Sequence, residues 1–97
     1  MSRRKVSTEE VLHYLGVRET RFIESLRAEG LFEEDELEPA QAEELRLAIV
    51  LTHELGVNPA GVEVVLHLRR RMDALERRAE ALARVMHEGM RGGDDSY

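Results

Sequence analysis

Apolar residues recur along the chain at intervals of three or four, which is the period of an α-helix. No segment alternates apolar and polar residues with the two-residue period of a β-strand. The pattern therefore predicts helices and no strands. The expected inward-facing residues are Val11, Leu12, Leu15, Phe22, Ile23, Leu26, Leu45, Ala48, Ile49, Leu51 and Leu55, followed by a series in the last helix.

Capping residues predict where four helices begin and end. The expected start signals are Ser7 with Glu10, Pro39, and Asn58 with Pro59, and the stop signals are Gly16, Gly30 and Gly56. Serine and asparagine accept a hydrogen bond from the first turn, proline fits the first helical position, and glycine adopts the left-handed conformation that ends a helix. The second helix is expected over about residues 19–29 and the last from about residue 60 to 88.

The last helix carries a narrow apolar stripe. Its members follow steps of three and four, a 3.5-residue repeat typical of a coiled-coil seam, whereas a helix packed on its own domain has a wider stripe. We therefore expect a homodimer whose interface contains Val65, Leu68, Met72, Leu75, Ala79, Leu82 and Met86. The expected organisation is a head of residues 1–58, a dimerisation helix over 59–88 and a disordered tail over 89–97, within one structural domain.

Length and composition exclude several classes of protein. The chain has 97 residues, enough for one domain, and it has no cysteine for a disulfide framework or a zinc ribbon. No apolar run approaches the ~20 residues of a membrane span, so we expect a cytoplasmic protein with no membrane contact. Phosphate loops, nucleophile elbows and metal-ligating histidine pairs are missing from the sequence, so we expect no enzyme, small-molecule substrate, cofactor or metal.

The net charge of −6 is distributed unevenly. Residues 1–28 carry six basic and four acidic side chains, residues 29–45 carry eight acidic and no basic ones, and residues 46–97 carry eight of each. A DNA-binding domain is usually basic on its binding face, whereas this acidic middle would repel phosphate.

Residues 8–27 fit a helix-turn-helix, with Gly16 in the turn and Val11, Leu15, Val17 and Phe22 at packing positions. The elements that follow, a helix ending in LTHELGV and a capped helix that feeds a coiled coil, resemble the MerR superfamily. Within it, LRLAIVLTHELGVNPAGVEVVLHLRRRM from Leu45 to Met72 resembles the CbpM-like chaperone modulators, and ELGVNPAGVEVVL is the most specific part. The expected fold class is all-α, a MerR-like helix-turn-helix followed by two helices, the last a long coiled-coil dimerisation helix.

The resemblance implies two functions. CbpM-like proteins bind the J-domain of a DnaJ/CbpA-type co-chaperone and restrain its stimulation of the DnaK-type chaperone, whereas MerR regulators bind promoter DNA as dimers with antiparallel C-terminal helices. Where MerR regulators have a wing with cationic and aromatic phosphate contacts, this chain has an acidic run. Arg18 stands where the second helix usually has a serine or aspartate cap.

The first hypothesis is that the acidic middle binds a J-domain, since J-domains present a basic helix. Its candidate residues are Leu31, Phe32, Glu33, Glu34, Asp35, Glu36 and Leu37, with the apolar ones supplying contact area and the carboxylates charge complementarity. The alternative is a solvated connector whose carboxylates favour the third helix through its dipole.

The second hypothesis is promoter binding through the start of the second helix. Arg18, Thr20 and Arg21 are its candidate contacts, and a basic arm of Arg3, Arg4 and Lys5 could assist. Glu19 and Glu24, interleaved on the same helix, oppose it.

Overall fold

The computed structural model describes residues 4–94, and the side chains of residues 4–90. The elements are β1 (Val6–Ser7), α1 (Thr8–Tyr14), α2 (Thr20–Ala28), β2 (Glu36–Leu37), α3 (Pro39–His53) and α4 (Pro59–Asp94). The predicted all-α class, a helix-turn-helix followed by two helices with the last one long, is confirmed.

The chain divides into two compact units between Leu66 and His67. The boundary lies later than the one expected after Asn58, because the first turns of α4 belong to the first unit. Val62 and Leu66 are fully buried in its core.

The helix-turn-helix forms as the caps predict. Ser7 is the N-cap of α1, and its Oγ accepts a long hydrogen bond of 3.5 Å from the Glu10 backbone N–H. Gly16 has a φ of 80°, and the Val17 N–H donates to the Leu12 carbonyl across the turn at 2.9 Å.

The core of the first unit draws on every helix and also on the segment between α2 and α3. Its buried apolar residues are Leu12, Phe22, Ile23, Leu26, Leu31, Phe32, Leu37, Leu45, Ala48, Leu51, Val62 and Leu66. The expectation for Leu55 was wrong: this side chain is exposed because α3 ends at His53, before the apolar face reaches it.

The prediction that the chain contains no strand was also wrong. β1 pairs antiparallel with β2, with Val6 opposite Leu37 and Ser7 opposite Glu36. Strands of two residues are too short to show an alternating pattern, so the sequence gives no sign of them.

The junction between α3 and α4 follows the predicted start signals. The Asn58 Oδ1 accepts a 2.8 Å hydrogen bond from the Gly61 N–H and caps α4. A Cβ atom at Gly61 would lie 2.7 Å from Val57 Cγ1, so glycine in this first turn allows Val57 to pack closely.

The prediction of a disordered tail from residue 89 was wrong for residues 89–94, which are helical, because α4 continues to Asp94. A glycine within a helix costs only about 1 kcal/mol relative to alanine, and adding residues to an existing helix is easier than starting one. Residues 95–97 of the expected tail lie outside the described residues.

Candidate interaction surfaces

Residues 31–37 form the acidic loop between α2 and α3, and its apolar side chains are not on the surface. Leu31, Phe32 and Leu37 are 5%, 6% and 0% exposed. The expectation that they supply contact area to a partner is therefore wrong. They anchor the loop by burying their side chains in the core of the first unit.

Arg27, in the last turn of α2, holds the backbone of the acidic loop. Its Nε donates to the Phe32 carbonyl at 2.8 Å, and its Nη2 lies 3.4 Å from the Glu34 carbonyl and 3.4 Å from Asp35 Oδ1. Phe32 has a φ of 52°, which a non-glycine residue adopts at a cost. The bond to Arg27 fixes the carbonyl of this strained residue.

Thr8 holds the same loop from the other side. Its N–H donates to the Asp35 carbonyl at 2.8 Å and its Oγ1 to the Glu34 carbonyl at 3.0 Å. The N–H at the start of a helix has no partner within that helix, so the loop carbonyl satisfies it. Sequence analysis missed both Thr8 and Arg27, although a threonine directly after the serine cap was a sign of a second polar contact there.

The carboxylates of the acidic loop remain in solvent while its backbone is held. Glu33, Glu34, Asp35 and Glu36 are all exposed, and Asp35 is 95% exposed even though it pairs with Arg27. The loop is thus anchored through its backbone while its four carboxylates are in solvent, as the solvated-connector alternative also expects.

The start of α2 exposes the three residues that were considered for DNA contact, Arg18, Thr20 and Arg21. The N-cap is Glu19 and not Arg18, because α2 begins at Thr20. Its side chain makes no capping hydrogen bond.

The rest of the exposed face of α2 is not basic. Glu24, one turn after Arg21, is exposed, and Ser25 donates its Oγ–H to the Phe22 carbonyl of its own helix at 2.7 Å. Arg27 is engaged with the acidic loop. Of the proposed basic arm, Arg4 and Lys5 are exposed and Arg3 lies outside the described residues.

The α4 stripe, defined as Leu68, Met72, Leu75, Ala79, Leu82 and Met86, lies in the second unit and is exposed along its whole length. Its large side chains are 52–59% exposed. Val65, the first residue of the expected dimer interface, instead packs against the core of the first unit. Val85 and Met90 are also exposed and were missed because they lie outside the 3.5-residue repeat.

Two further observations concern the described residues alone. Among them, no three histidine, aspartate or glutamate side chains are placed to hold a metal ion together. No helix in this part of the chain combines the length and the apolar character that crossing a bilayer requires.

Similarity to a known protein family covers most of the chain. A family model described as "MerR HTH family regulatory protein" matches residues 6–84, which include the helix-turn-helix, the acidic loop, α3 and most of α4. No curated protein and no solved structure matches the chain. Since the match covers most of the 97 residues, the chain belongs to the MerR helix-turn-helix family of regulatory proteins.

Proposed function

We propose that this chain is a CbpM-like modulator, which binds the J-domain of a DnaJ/CbpA-type co-chaperone and restrains its activity. The observation that carries the proposal is the exposure of Glu33, Glu34, Asp35 and Glu36 on an anchored loop. This loop follows the helix-turn-helix directly, in the position where DNA-reading MerR proteins have a cationic wing.

Electrostatics favours a protein partner over DNA at this surface. Affinity for DNA depends on cations that displace the counterions of phosphate, and carboxylates at the same surface oppose that exchange. Arg27, in the last turn of α2, directs its donors to the acidic loop itself. Arg21 shares the exposed face of α2 with Glu24.

A J-domain suits this surface because it presents a basic helix to its chaperone. Complementary charges accelerate the encounter of two proteins and suppress wrong partners. A modulator that covers the basic helix competes with the DnaK-type chaperone for it, which explains how binding would restrain the co-chaperone.

The α4 stripe supports a homodimer as the active form. Apolar side chains that repeat every 3.5 residues on a long helix bury their surface when a second such helix packs against them. Contiguous apolar surface on a soluble chain marks an interaction site.

The test of this function is the affinity for the isolated J-domain of the DnaJ-type co-chaperone encoded in the same genome. Replacing Glu33, Glu34 and Glu36 with lysine reverses the loop charge. We expect the Kd to rise by about tenfold or more at low salt and by less at high salt, since exposed charges are screened beyond about 10 Å at 0.1 M salt.

The matched control replaces Glu24, Glu29 and Glu54 with lysine, which changes the net charge equally at exposed positions outside the loop. This control should affect affinity much less. Equal affinity of wild type and loop variant at every salt concentration would remove the loop from the interface. The wild-type chain should also lower the J-domain-stimulated ATPase rate of the DnaK-type chaperone.

The second candidate function is promoter binding, which the family description and the exposed Arg18, Thr20 and Arg21 favour. Sequence-selective capture of duplex DNA from a random pool at physiological ionic strength, lost on Arg21→Ala, would favour this candidate over the first.

A further inference from the structure

We propose that a groove between α1 and α3 receives a basic amphipathic helix of the partner protein. The inference rests on the proposed function, because it supplies the apolar contact that the acidic loop lacks. Leu31, Phe32 and Leu37 are buried, so the loop offers a partner charge but little apolar area. Charge complementarity mainly governs how fast proteins meet, while a few well-packed side chains dominate affinity.

The groove has an apolar floor of half-buried residues. An open cavity of about 390 Å³ is lined by Val6 of β1, Val11 of α1, Ala42 of α3 and Leu15, which follows α1. Of these side chains, Val6 and Val11 pack against the core of the first unit. A partner side chain that enters the groove would complete their burial.

The rim of the groove carries an aromatic side chain, two carboxylates and one arginine. Tyr14, at the end of α1, is 87% exposed. Tyrosine is one of the residue types that dominate binding energy at protein interfaces. Glu10 and Glu43 are exposed on the rim, and Arg46 lies 3.4 Å from Glu43 across one turn of α3.

The groove adjoins the acidic loop through the short ribbon of β1 and β2. Val6 lies opposite Leu37, and the neighbouring Ser7 lies opposite Glu36. Side chains alternate between the two faces of a strand, so Val6 and Leu37 share one face of the ribbon while Ser7 and Glu36 share the other. The acidic side chains that a partner meets in the groove itself are therefore Glu10 and Glu43.

These features select a basic amphipathic helix as the occupant. A helix presents apolar residues at intervals of three and four to such a groove, and lysine or arginine beside them can reach Glu10 and Glu43. The groove is open to solvent, which fits a helix crossing a surface better than an enclosed small molecule.

The experiment follows backbone amide shifts of the isotopically labelled full chain by NMR during titration with the J-domain. We expect the largest shifts at Val6, Val11, Leu15 and Ala42 together with residues 33–36. Tyr14→Ala should raise the Kd about tenfold, whereas Leu55→Ala, the matched control at another exposed apolar residue, should leave it unchanged. J-domain binding without shifts in the groove overturns the groove and leaves the proposed function standing.

A second titration tests helix binding in the groove independently of the J-domain. If the J-domain does not bind, the proposed function is refuted, and this titration still tests the groove. The probe is a synthetic helix of about five turns with leucine on one face and lysine elsewhere, compared with the same peptide carrying glutamate for lysine. Groove shifts with the lysine peptide only, reduced by Tyr14→Ala, support the proposal. Shifts confined to the α4 stripe or missing altogether overturn it. Dissociation of a dimer on Tyr14→Ala also overturns the proposal, because the occupant of the groove is then a second copy of the chain.

Discussion

Arg27 contacts the acidic loop at three points through one side chain. Its guanidinium donates to the Phe32 carbonyl, approaches the Glu34 carbonyl and pairs with Asp35. Arginine suits this task because its planar head presents several donors in a fixed arrangement, whereas lysine presents a point charge. The pair with Asp35 itself adds little, since Asp35 is almost fully in solvent.

We predict that Arg27→Ala lowers the free energy of unfolding by about 1–2 kcal/mol, chiefly through the lost charged hydrogen bond to a partly buried carbonyl. Arg27→Lys should recover less than half of that loss. Urea unfolding measures both. The control is Arg21→Ala at an exposed position of the same helix, expected to change stability by less than about 0.5 kcal/mol. An Arg27→Ala variant as stable as this control would contradict the role of Arg27.

At the scale of elements, capping hydrogen bonds stabilise the N-termini of α3 and α4. Asn58 caps α4, and the Glu38 N–H at the start of α3 donates to Gln41 Oε1 at 2.9 Å. These bonds satisfy groups that the first turn of a helix leaves without partners. The cap of α4 matters most, because the turns that follow it carry Val62 and Leu66 into the core of the first unit.

We predict that Asn58→Ala lowers the free energy of unfolding by about 1 kcal/mol, the usual cost of losing an N-cap. Asn58→Asp should retain most of the stability, since aspartate accepts the same hydrogen bond and suits the positive end of the helix dipole. Thermal or urea unfolding of the two variants side by side provides the measurement. Equal losses in both would mean that the Gly61 N–H does not depend on the side chain at position 58.

The sequence predicts the helices well because caps and periodicity are local properties. Ser7, Pro39 and Asn58 lie where α1, α3 and α4 begin. The acidic loop could not be predicted in the same way, because its seven residues have no helical or strand period. A clue was present in its composition: apolar residues at Leu31, Phe32 and Leu37 within an otherwise acidic segment are typical of side chains that anchor a loop.

At the scale of the whole molecule, the two units of the 97-residue chain differ in how far their apolar side chains are buried. The first unit buries a core, whereas the side chains of the second unit from His67 to Met90 are exposed except for the half-buried Ala74. Most of the stability of a helix in a protein comes from packing of its apolar face, and the α4 stripe is exposed. Dimerisation would therefore stabilise the second unit more than the first.

We predict that Leu75→Lys combined with Leu82→Lys makes the protein monomeric at micromolar concentration, because each helix would bring two unpaired charges into the apolar seam. Analytical ultracentrifugation gives the oligomeric state. The control places lysines at Asp73 and Glu80, exposed positions with the same seven-residue spacing outside the α4 stripe. A dimer that persists in the leucine variant would show that α4 is not the dimer interface.

The surroundings of Phe32 limit which amino acids can occupy this position. Its backbone has a φ of 52° while its side chain is 6% exposed, so the position must tolerate left-handed geometry and fill an apolar site at once. Glycine would relax the backbone but leave a void, and valine or isoleucine would fill the void but resist the backbone. Mutational tolerance along the loop should therefore be uneven, with one nearly invariant aromatic residue followed by acidic residues that are free to change with the partner.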